Sequence, residues 1–248
     1  GEEENWECPS LFPLGDRWAL VYSPHAPVKY CTGRMDFEAC HFEPEVKGQF
    51  DFGRFIGLYA ATVMPDPKGR TILWAWIYSD KKGRGWNGCL ALPRVLTLLP
   101  DGRIGQEPVP EFEALRRDPQ TGRDAEAADG VRRWRIAGGR AEMRLSAPPA
   151  TGRFGLRLLD AKGAVAELAC SADGVTVAGD LVPASELAGA GPRELRIFVD
   201  RSLLEVFIDG RITVSRWMET DGVDIFELVA DGRPVDGIEV TLWRMEEA

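Results

Sequence analysis

The strongest constraint on the fold is a hairpin pattern in the stretch ELRIFVDRSLLEVFIDGRITVSRW. Leu195, Ile197 and Val199 occupy every second position, which is the two-residue period of a β-strand. Asp209 and Gly210 then supply a dipeptide that is typical of a tight hairpin turn. Alternation of this kind predicts strands with one buried face, so we expect an all-β protein.

Comparable short runs recur along the whole chain and are rich in aromatic and β-branched residues. In the first part they are RWALVY (17–22), RMDFEACHF (34–42), RTILWAWIY (70–78) and RVLTLL (94–99). In the second part they are VRRWRI (131–136), AEMRLSA (141–147), GRFGLRLL (152–159), AVAELAC (164–170) and GVTVAG (174–179). Glycine, proline and aspartate separate the runs, and the regular spacing in the second part is typical of a β-sandwich.

Between these two parts the alternation stops. The sequence EPVPEFEALRRDPQTGRDAEAADG is polar and charged, and it predicts at most one short helix around residues 112–117. A break of this kind marks a domain boundary. We therefore predict a first domain over residues 1–108, a linker over 109–130 and a β-sandwich over 131–248.

Charge and composition exclude several classes of protein. The 248 residues carry 30 basic and 39 acidic side chains, and the formal net charge of −9 argues against nucleic acid and anionic membranes as partners. No apolar stretch approaches the roughly 20 residues of a membrane span. Five widely spaced cysteines without a CxxC pair argue against a zinc site and favour a reducing compartment such as the cytoplasm. With two histidines in the chain, we expect no metal or cofactor, and acid-base chemistry falls to carboxylates.

Two short motifs suggest functions that their context does not support. GRGWNG (83–88) fits the glycine pattern of dinucleotide-binding loops, but a strand-like sequence follows it where a helix is required. The triplet RDP (117–119) lies in the polar segment, where Asp-Pro beside Gln-Thr-Gly predicts a solvated turn and not a strand.

The segment NWECPSLFPL contains the residue with the most specific context, Glu7. Taken alone, Glu7 is most simply a solvated surface charge. However, WECP followed by SLFPL resembles the general-acid motif of glycoside hydrolase family 32, which comprises invertases, levanases and inulinases. Further similar motifs follow in the order of that family: Asp51-Phe52-Gly53, Tyr59-Ala60, ILWAWI (72–77), Gly85-Trp86, LPRVLTL with DGRIGQEPVPE, and LRIFVDRSLLEVFIDGR. The resemblance covers essentially the whole chain.

The resemblance implies that Glu7 is the proton donor on an inner strand of a propeller blade. Cleavage of a glycosidic bond requires a protonated carboxyl, so we expect burial and a nearby carboxylate to raise the pKa of Glu7. The family retains configuration, using a nucleophilic carboxylate about 5 Å from the acid. Its nucleophile and its RDP motif precede the general acid, so we expect both to lie upstream of residue 1. Asp118 does not replace the RDP aspartate, because it follows Glu7 in the chain.

The resemblance also implies substrate-binding roles for Asp51, Trp76 and Trp86. For Asp51, a structural turn is the alternative. Trp86 lines the mouth of the pocket or simply packs. Trp74 and Trp76 share one face of their strand, and we expect at least one of the two to have a purely structural role in the core.

At the level of the whole chain, the resemblance implies about two blades of a five-bladed β-propeller followed by a C-terminal β-sandwich. Two blades alone would expose apolar faces, so we expect the N-terminal blades as another chain or segment. The implied activity is retaining hydrolysis of sucrose or a fructan, with a chain that carries the general acid but is inactive alone. The alternative is a non-catalytic carbohydrate-binding or structural β-protein.

Overall fold

The computed structural model describes residues 5–53, 57–79, 85–128, 130–187, 189, 193–230 and 237–247. Within these ranges the helical segments are short 3₁₀ turns at Pro110–Leu115, Pro149–Thr151 and Ala184–Glu186. None of the described helices has the length and apolar character needed to cross a lipid bilayer. The remaining regular structure is β-strand.

The strands of the first part are β1 (Glu7–Leu14), β2 (Arg17–Ser23), β3 (Lys29–Asp36), β4 (His41–Gln49), β5 (Leu58–Pro65), β6 (Thr71–Ile77), β7 (Cys89–Leu90), β8 (Arg94–Leu98) and β9 (Ile104–Pro108). Those of the second part are β10 (Arg116–Thr121), β11 (Glu126–Ala128), β12 (Val131–Arg135), β13 (Arg140–Ala147), β14 (Phe154–Asp160), β15 (Gly163–Ser171), β16 (Gly174–Val177), β17 (Asp180–Pro183), β18 (Arg193–Asp200), β19 (Leu203–Ile208), β20 (Ile212–Trp217), β21 (Ile225–Ala230) and β22 (Glu239–Met245).

The chain divides into two compact units, and the first one is discontinuous in sequence. It comprises the residues up to Val109 together with Gly210–Ser215, and the second unit comprises Pro110–Asp209 and the residues from Arg216 onward. The first unit contains two antiparallel sheets. One has the order β1, β2, β3, β4, and the other has the order β5, β6, β8, β9 with β7 paired to β6. Strands that neighbour one another in chain order form meanders, which confirms the predicted antiparallel sheets.

Strand β6 shows how the sequence pattern forms the core of the first unit. Leu73, Ala75 and Ile77 are buried on one face, whereas Trp74 and Trp76 alternate with them and are half-buried. This is the side-chain alternation of a strand with two different environments. Neither tryptophan is fully buried, and the expected structural role for at least one of them stays a prediction.

The second unit contains two sheets whose inward-facing positions form its core. In one sheet β10, β22, β13, β18 and β19 are successive neighbours, and in the other the order is β11, β12, β21, β14, β15, β16, β17. Leu195, Ile197 and Val199 on β18 are buried, as their alternation predicts. The turn after β19, at Asp209 and Gly210, has positive φ at both residues, which is the backbone of a type I′ hairpin turn.

The segment that was predicted to be an aperiodic linker contains strands. β10 and β11 lie within residues 109–130, and β10 pairs with β22. Arg116 on β10 forms a bidentate ion pair with the fully buried carboxylate of Glu142, at 2.7 and 2.8 Å. Because β10 is anchored by charged groups rather than by an apolar face, its strand has no hydrophobic alternation in the sequence. The domain limits themselves stay a prediction.

The RDP triplet also lies on a strand, which corrects the prediction of a solvated turn. Asp118 sits in a β-bulge of β10, between Arg117 and Gln120, with φ of 50°. Its carboxylate pairs with Arg244 on β22 at 2.8 Å. Asp118 therefore belongs to the second unit and has a local structural partner.

A second correction concerns RMDFEACHF, which was predicted as one strand. β3 ends at Asp36, a turn follows, and β4 begins at His41. The Asp36 carboxylate accepts hydrogen bonds from the backbone N–H groups of Glu38 and Ala39, both at 2.9 Å. Local side-chain acceptors of this kind compete with strand pairing and favour a turn.

Candidate active site around Glu7

Glu7 and Tyr59 both precede irregularities in their strands. The pairing of β1 with β2 shifts register between Glu7 and Ser10, and the pairing of β5 with β6 shifts between Tyr59 and Thr62. The residue after each site residue has positive φ, 49° at Cys8 and 48° at Ala60. Bulges re-aim the side chains beside them, and a positive φ at a residue other than glycine is a strained conformation.

Four side chains meet around the carboxylate and form what we call the Glu7 cluster: Asn5, Glu7, His25 and Tyr59. His25 Nε2 lies 2.6 Å from Glu7 Oε1, and Asn5 Nδ2 donates to the same oxygen at 3.1 Å. The Tyr59 hydroxyl donates to Glu7 Oε2 at 2.8 Å. Each carboxylate oxygen therefore has its own partner, and the Glu7 side chain is still 40% exposed.

The electrostatics of the Glu7 cluster differ from the sequence-based expectation. The hydrogen bond with His25, followed by that from Tyr59, holds the pKa of Glu7 below its ordinary value. Donors to a carboxylate favour its ionised form, and at this exposed position burial opposes them only weakly. The expected rise requires burial and a neighbouring carboxylate in the complete site, and among the described residues these hydrogen bonds outweigh burial. Burial does raise the pKa of Tyr59, and its bond to Glu7 adds to that effect.

Aromatic side chains neighbour two members of the Glu7 cluster, Trp6 next to Glu7 in the chain and Trp76 across the sheet from Tyr59. Trp6 stacks on Tyr22 with ring centroids 4.9 Å apart, and it remains 54% exposed. Trp76 on β6 is the cross-strand partner of Tyr59, so the two side chains lie on the same face of their sheet. Trp76 also contacts Tyr78 edge-to-face at 5.4 Å. The structure thus brings one predicted substrate-binding residue, Trp76, next to a partner of Glu7.

Trp86 lies in the segment that leads to β7 and is exposed. Gly88 in the same segment has φ of 71°, and a Cβ atom there would lie 2.1 Å from Trp76 Nε1. The backbone therefore passes close to the edge of the Trp76 indole ring. Strand β7 follows instead of a helix, which agrees with rejecting a dinucleotide loop. Gly83, where that motif begins, lies outside the described residues.

Asp51 belongs to a different group, which we call the Asp51 cluster: Asp51, Arg94, Gln106, Thr213 and Ser215. Asp51 is 1% exposed, and the hydroxyls of Thr213 and Ser215 both donate to its Oδ2 at 2.7 Å. The guanidinium of Arg94 donates to the same two hydroxyl oxygens, at 2.7 and 3.0 Å. Gln106 accepts from Arg94 at 2.9 Å. The cluster connects β8 and β9 to the Gly210–Ser215 segment of the first unit.

The surroundings of Asp51 favour the structural alternative. Its Oδ1 accepts hydrogen bonds from the backbone N–H of Gly53 at 2.8 Å and of Ser215 at 3.2 Å. Burial raises the pKa of Asp51, while the charge of Arg94 and these hydrogen bonds oppose that rise. A carboxylate that is enclosed by protein donors has no surface for a sugar hydroxyl. Its assignment to substrate stays a prediction that this geometry does not support.

His25 was not predicted from the sequence as a site residue, and Tyr59 was not assigned to the site. The β1–β2 hairpin could have indicated His25. If the pairing that starts with Leu14 and Arg17 continued without a bulge, Glu7 would lie opposite position 24, which is next to His25. The bulge moves the actual partner to Ser23. Tyr59 is 52 residues from Glu7 in the chain, so no local signal links the two.

The described residues form no cluster of the side chains that commonly bind metal ions. In the part of the chain that the structure covers, no group of three or more His, Cys, Asp and Glu side chains is arranged to hold a metal ion. The acid-base groups that meet at Glu7 in the described structure are a carboxylate, an imidazole and a phenol.

Two family models match the chain. The N-terminal domain model of glycosyl hydrolases family 32 matches residues 1–108, and the C-terminal model of the same family matches residues 111–244. The chain belongs to glycosyl hydrolases family 32. It is 29% identical to a raffinose invertase of Escherichia coli over 99% of this chain and 56% of the relative. It is 33% identical to a sucrose-6-phosphate hydrolase of Bacillus subtilis over 46% of this chain and 27% of the relative.

Solved structures of the family show the same fold. A β-fructofuranosidase of Bombyx mori, solved in complex with sucrose, matches with a TM-score of 0.78 at 22% identity, over 98% of this chain and 54% of that one. An exo-inulinase of Aspergillus awamori matches with a TM-score of 0.76 at 17% identity, over 100% of this chain and 58% of that one. This chain thus spans about half the length of the relatives it matches. The predicted combination of β-propeller blades and a β-sandwich is confirmed.

Proposed function

We propose that the protein is part of a β-fructofuranosidase that hydrolyses sucrose or a fructan with retention, and that Glu7 is its general acid. The observation that supports this proposal is the Glu7 cluster, in which a carboxylate at the start of a strand is held between a phenol and an imidazole, next to the exposed ring of Trp6. Carboxyl groups supply the acid-base catalysis in most glycosidases. Family membership and similarity to a raffinose invertase support the substrate class.

The proposed mechanism gives Glu7 two roles. In the first step its protonated carboxyl donates to the leaving glycosidic oxygen, while a nucleophilic carboxylate forms a fructosyl-enzyme intermediate. In the second step the ionised carboxylate accepts a proton from the attacking water, which restores the acid. Tyr59 and His25 orient the carboxylate. We propose that the nucleophile comes from a segment outside the described residues, because the motif that carries it in the family precedes the general-acid motif that Glu7 matches.

The remaining propeller blades are proposed as the partner of this chain, as another chain or segment. Support comes from the surface of the first unit and from the lengths of the relatives. Large apolar side chains are exposed there at Trp6, Leu11, Phe37, Met64, Trp86 and Leu90. Where such side chains form a contiguous apolar patch, that patch usually marks a contact surface. Mass measurement of the natural protein is expected to show more polypeptide than this chain contains, and a mass equal to this chain alone would contradict the proposal.

The role of Glu7 is tested with Glu7→Gln in the protein assembled with its remaining blades. We expect hydrolysis of sucrose to fall by about 10²–10⁴-fold, because a general acid typically contributes that much. Aryl fructosides, whose leaving groups need no proton, should lose far less activity. Glu38→Gln, in an exposed turn of the same sheet, is the matched control and should leave both rates unchanged. Equal losses on both substrate types would assign Glu7 a different role.

A second candidate function is a non-catalytic carbohydrate-binding β-protein. The observation that favours it is the direction of the Glu7 pKa, which its hydrogen bonds lower, whereas a general acid needs a raised pKa. The two candidates differ in fructose release. Under the enzymatic proposal the purified 248-residue chain releases none, and the assembled protein does. Binding of a fructan without release by the assembled protein would instead support the second candidate.

A further inference from the structure

His25 reaches Glu7 from the turn that connects β2 to β3. Its φ is 58°, in the left-handed region, and its backbone N–H donates to the Tyr59 hydroxyl at 2.9 Å. Its imidazole Nε2 lies 2.6 Å from Glu7 Oε1. His25 therefore contacts both Tyr59 and Glu7. Its backbone N–H orients the Tyr59 phenol, and its side chain contacts the Glu7 carboxylate.

The two oxygens of Glu7 are held by different groups. Oε2 accepts from Tyr59, whereas Oε1 faces His25 and Asn5. The titratable groups that face the carboxylate in the described structure are His25 on the turn after β2 and Tyr59 on β5, and Cys8 on β1 acts on Tyr59. Of these, His25 makes the shortest contact. We therefore expect removal of the His25 side chain to change the proton affinity of Glu7 more than removal of the Tyr59 hydroxyl does.

We infer that His25 is a positioning residue for Glu7, and that its contact with Oε1 sets the pH range over which the carboxyl keeps the proton that the acid step uses. The inference rests on the proposed role of Glu7 as the general acid. A hydrogen bond to the ionised carboxylate favours that form, so His25 promotes the base step and restricts the acid step to lower pH. Tyr59 acts in the same direction through the other oxygen.

The direct test needs no catalysis and uses the chain itself. The carboxyl carbon of Glu7 is followed by ¹³C NMR during a pH titration, and its signal is identified by its loss in Glu7→Gln. His25→Asn removes the imidazole, and asparagine tolerates the left-handed backbone. His25→Gln keeps an amide donor of similar reach but cannot carry a charge. His41→Asn, at the exposed start of β4, is the matched control because His41 is the other histidine of the chain.

We expect the titration midpoint of Glu7 to move upward in His25→Asn, to move upward by less in His25→Gln, and to stay unchanged in His41→Asn. A midpoint that is the same in the natural chain and in both His25 variants would overturn the inference. The same conclusion follows if Tyr59→Phe moves the midpoint and the His25 variants do not. If His25→Asn does not fold, the test rests on His25→Gln: an upward shift of the Glu7 midpoint supports the inference, and an unchanged midpoint overturns it.

The assembled enzyme gives a second readout that a merely structural residue would not change. The alkaline limb of the pH profile for sucrose hydrolysis should move to higher pH in His25→Asn, because Glu7 then keeps its proton longer. The two levels of proposal can fail separately. Normal hydrolysis by Glu7→Gln would disprove the proposed function whatever the NMR shows, and an unmoved midpoint would disprove the role of His25 whatever the activity.

Discussion

The Glu7 cluster and the Asp51 cluster place the same chemical group in opposite environments within one unit. Glu7 is 40% exposed and is held by an imidazole and a phenol, while Asp51 is 1% exposed and is held by two hydroxyls and two backbone N–H groups. The pKa of Glu7 is lowered because hydrogen bonds dominate there. Burial raises the pKa of Asp51. The difference teaches that titratable partners near solvent indicate a site for proton transfer, whereas enclosed, non-titrating donors indicate a structural joint.

The largest expected effect is the loss of the buried cation in the Asp51 cluster. Arg94→Met should lower the free energy of unfolding by about 3–5 kcal/mol, because the carboxylate of Asp51 then lacks a compensating charge in the interior. Urea unfolding followed by tryptophan fluorescence measures the change. Arg34→Met, at a position whose side chain is 73% exposed, should stay within about 0.5 kcal/mol. Similar losses in the two variants would mean that Asp51 is not a structural joint.

An intermediate effect is expected from removing one hydroxyl donor. Thr213→Val should cost about 1–3 kcal/mol of unfolding free energy, because Asp51 Oδ2 and Arg94 each lose a buried hydrogen-bond partner while the side-chain shape is kept. Thr62→Val on β5 is exposed and provides the control. A Thr213→Val protein as stable as the control would show that water replaces the hydroxyl, so that the cluster is less enclosed than its burial indicates.

The smallest effect concerns the pH dependence of stability, where the two carboxylates should act in opposite directions. The raised pKa of Asp51 makes its ionisation unfavourable in the folded state, so this contribution to stability falls as pH rises from its ordinary 3.8 through the folded-state pKa. The lowered pKa of Glu7 stabilises the folded state above its ordinary 4.5, and this contribution is lost as pH falls through the folded-state pKa.

The unfolding free energies of the natural chain, Asp51→Asn and Glu7→Gln are measured between about pH 3 and pH 7. The first difference is the value for the natural chain minus that for Asp51→Asn, and the second is the value for the natural chain minus that for Glu7→Gln. The first difference should decrease with rising pH and the second should increase. A loss of stability that is the same at every pH does not affect the test, because only the slopes of the two differences against pH are compared. Two slopes of the same sign would show that the carboxylates share one environment.

The sequence predicted the strands with one apolar face and missed the parts that depend on polar pairing. β18 is recognisable because Leu195, Ile197 and Val199 are buried on one side. β10 is not recognisable, since its anchoring contact joins Arg116 to Glu142, a residue 26 positions away. Glu7 was found through its resemblance to a family motif. The lowering of its pKa in the described structure was not predicted, because His25 and Tyr59 reach it through tertiary structure.

The separation of Gly210–Ser215 from the rest of the first unit has a consequence for dissecting the protein into fragments. A fragment ended at residue 109 would lack this segment, and the backbone groups of Phe50 and Phe52 that bond to Thr213 would lose their partners. The hydroxyls that enclose Asp51 would leave with it. The boundary between the N-terminal and C-terminal domain models of the family is therefore not a boundary at which the first unit keeps all of its residues. A soluble first unit would need a substitute for six residues that are encoded about a hundred positions downstream.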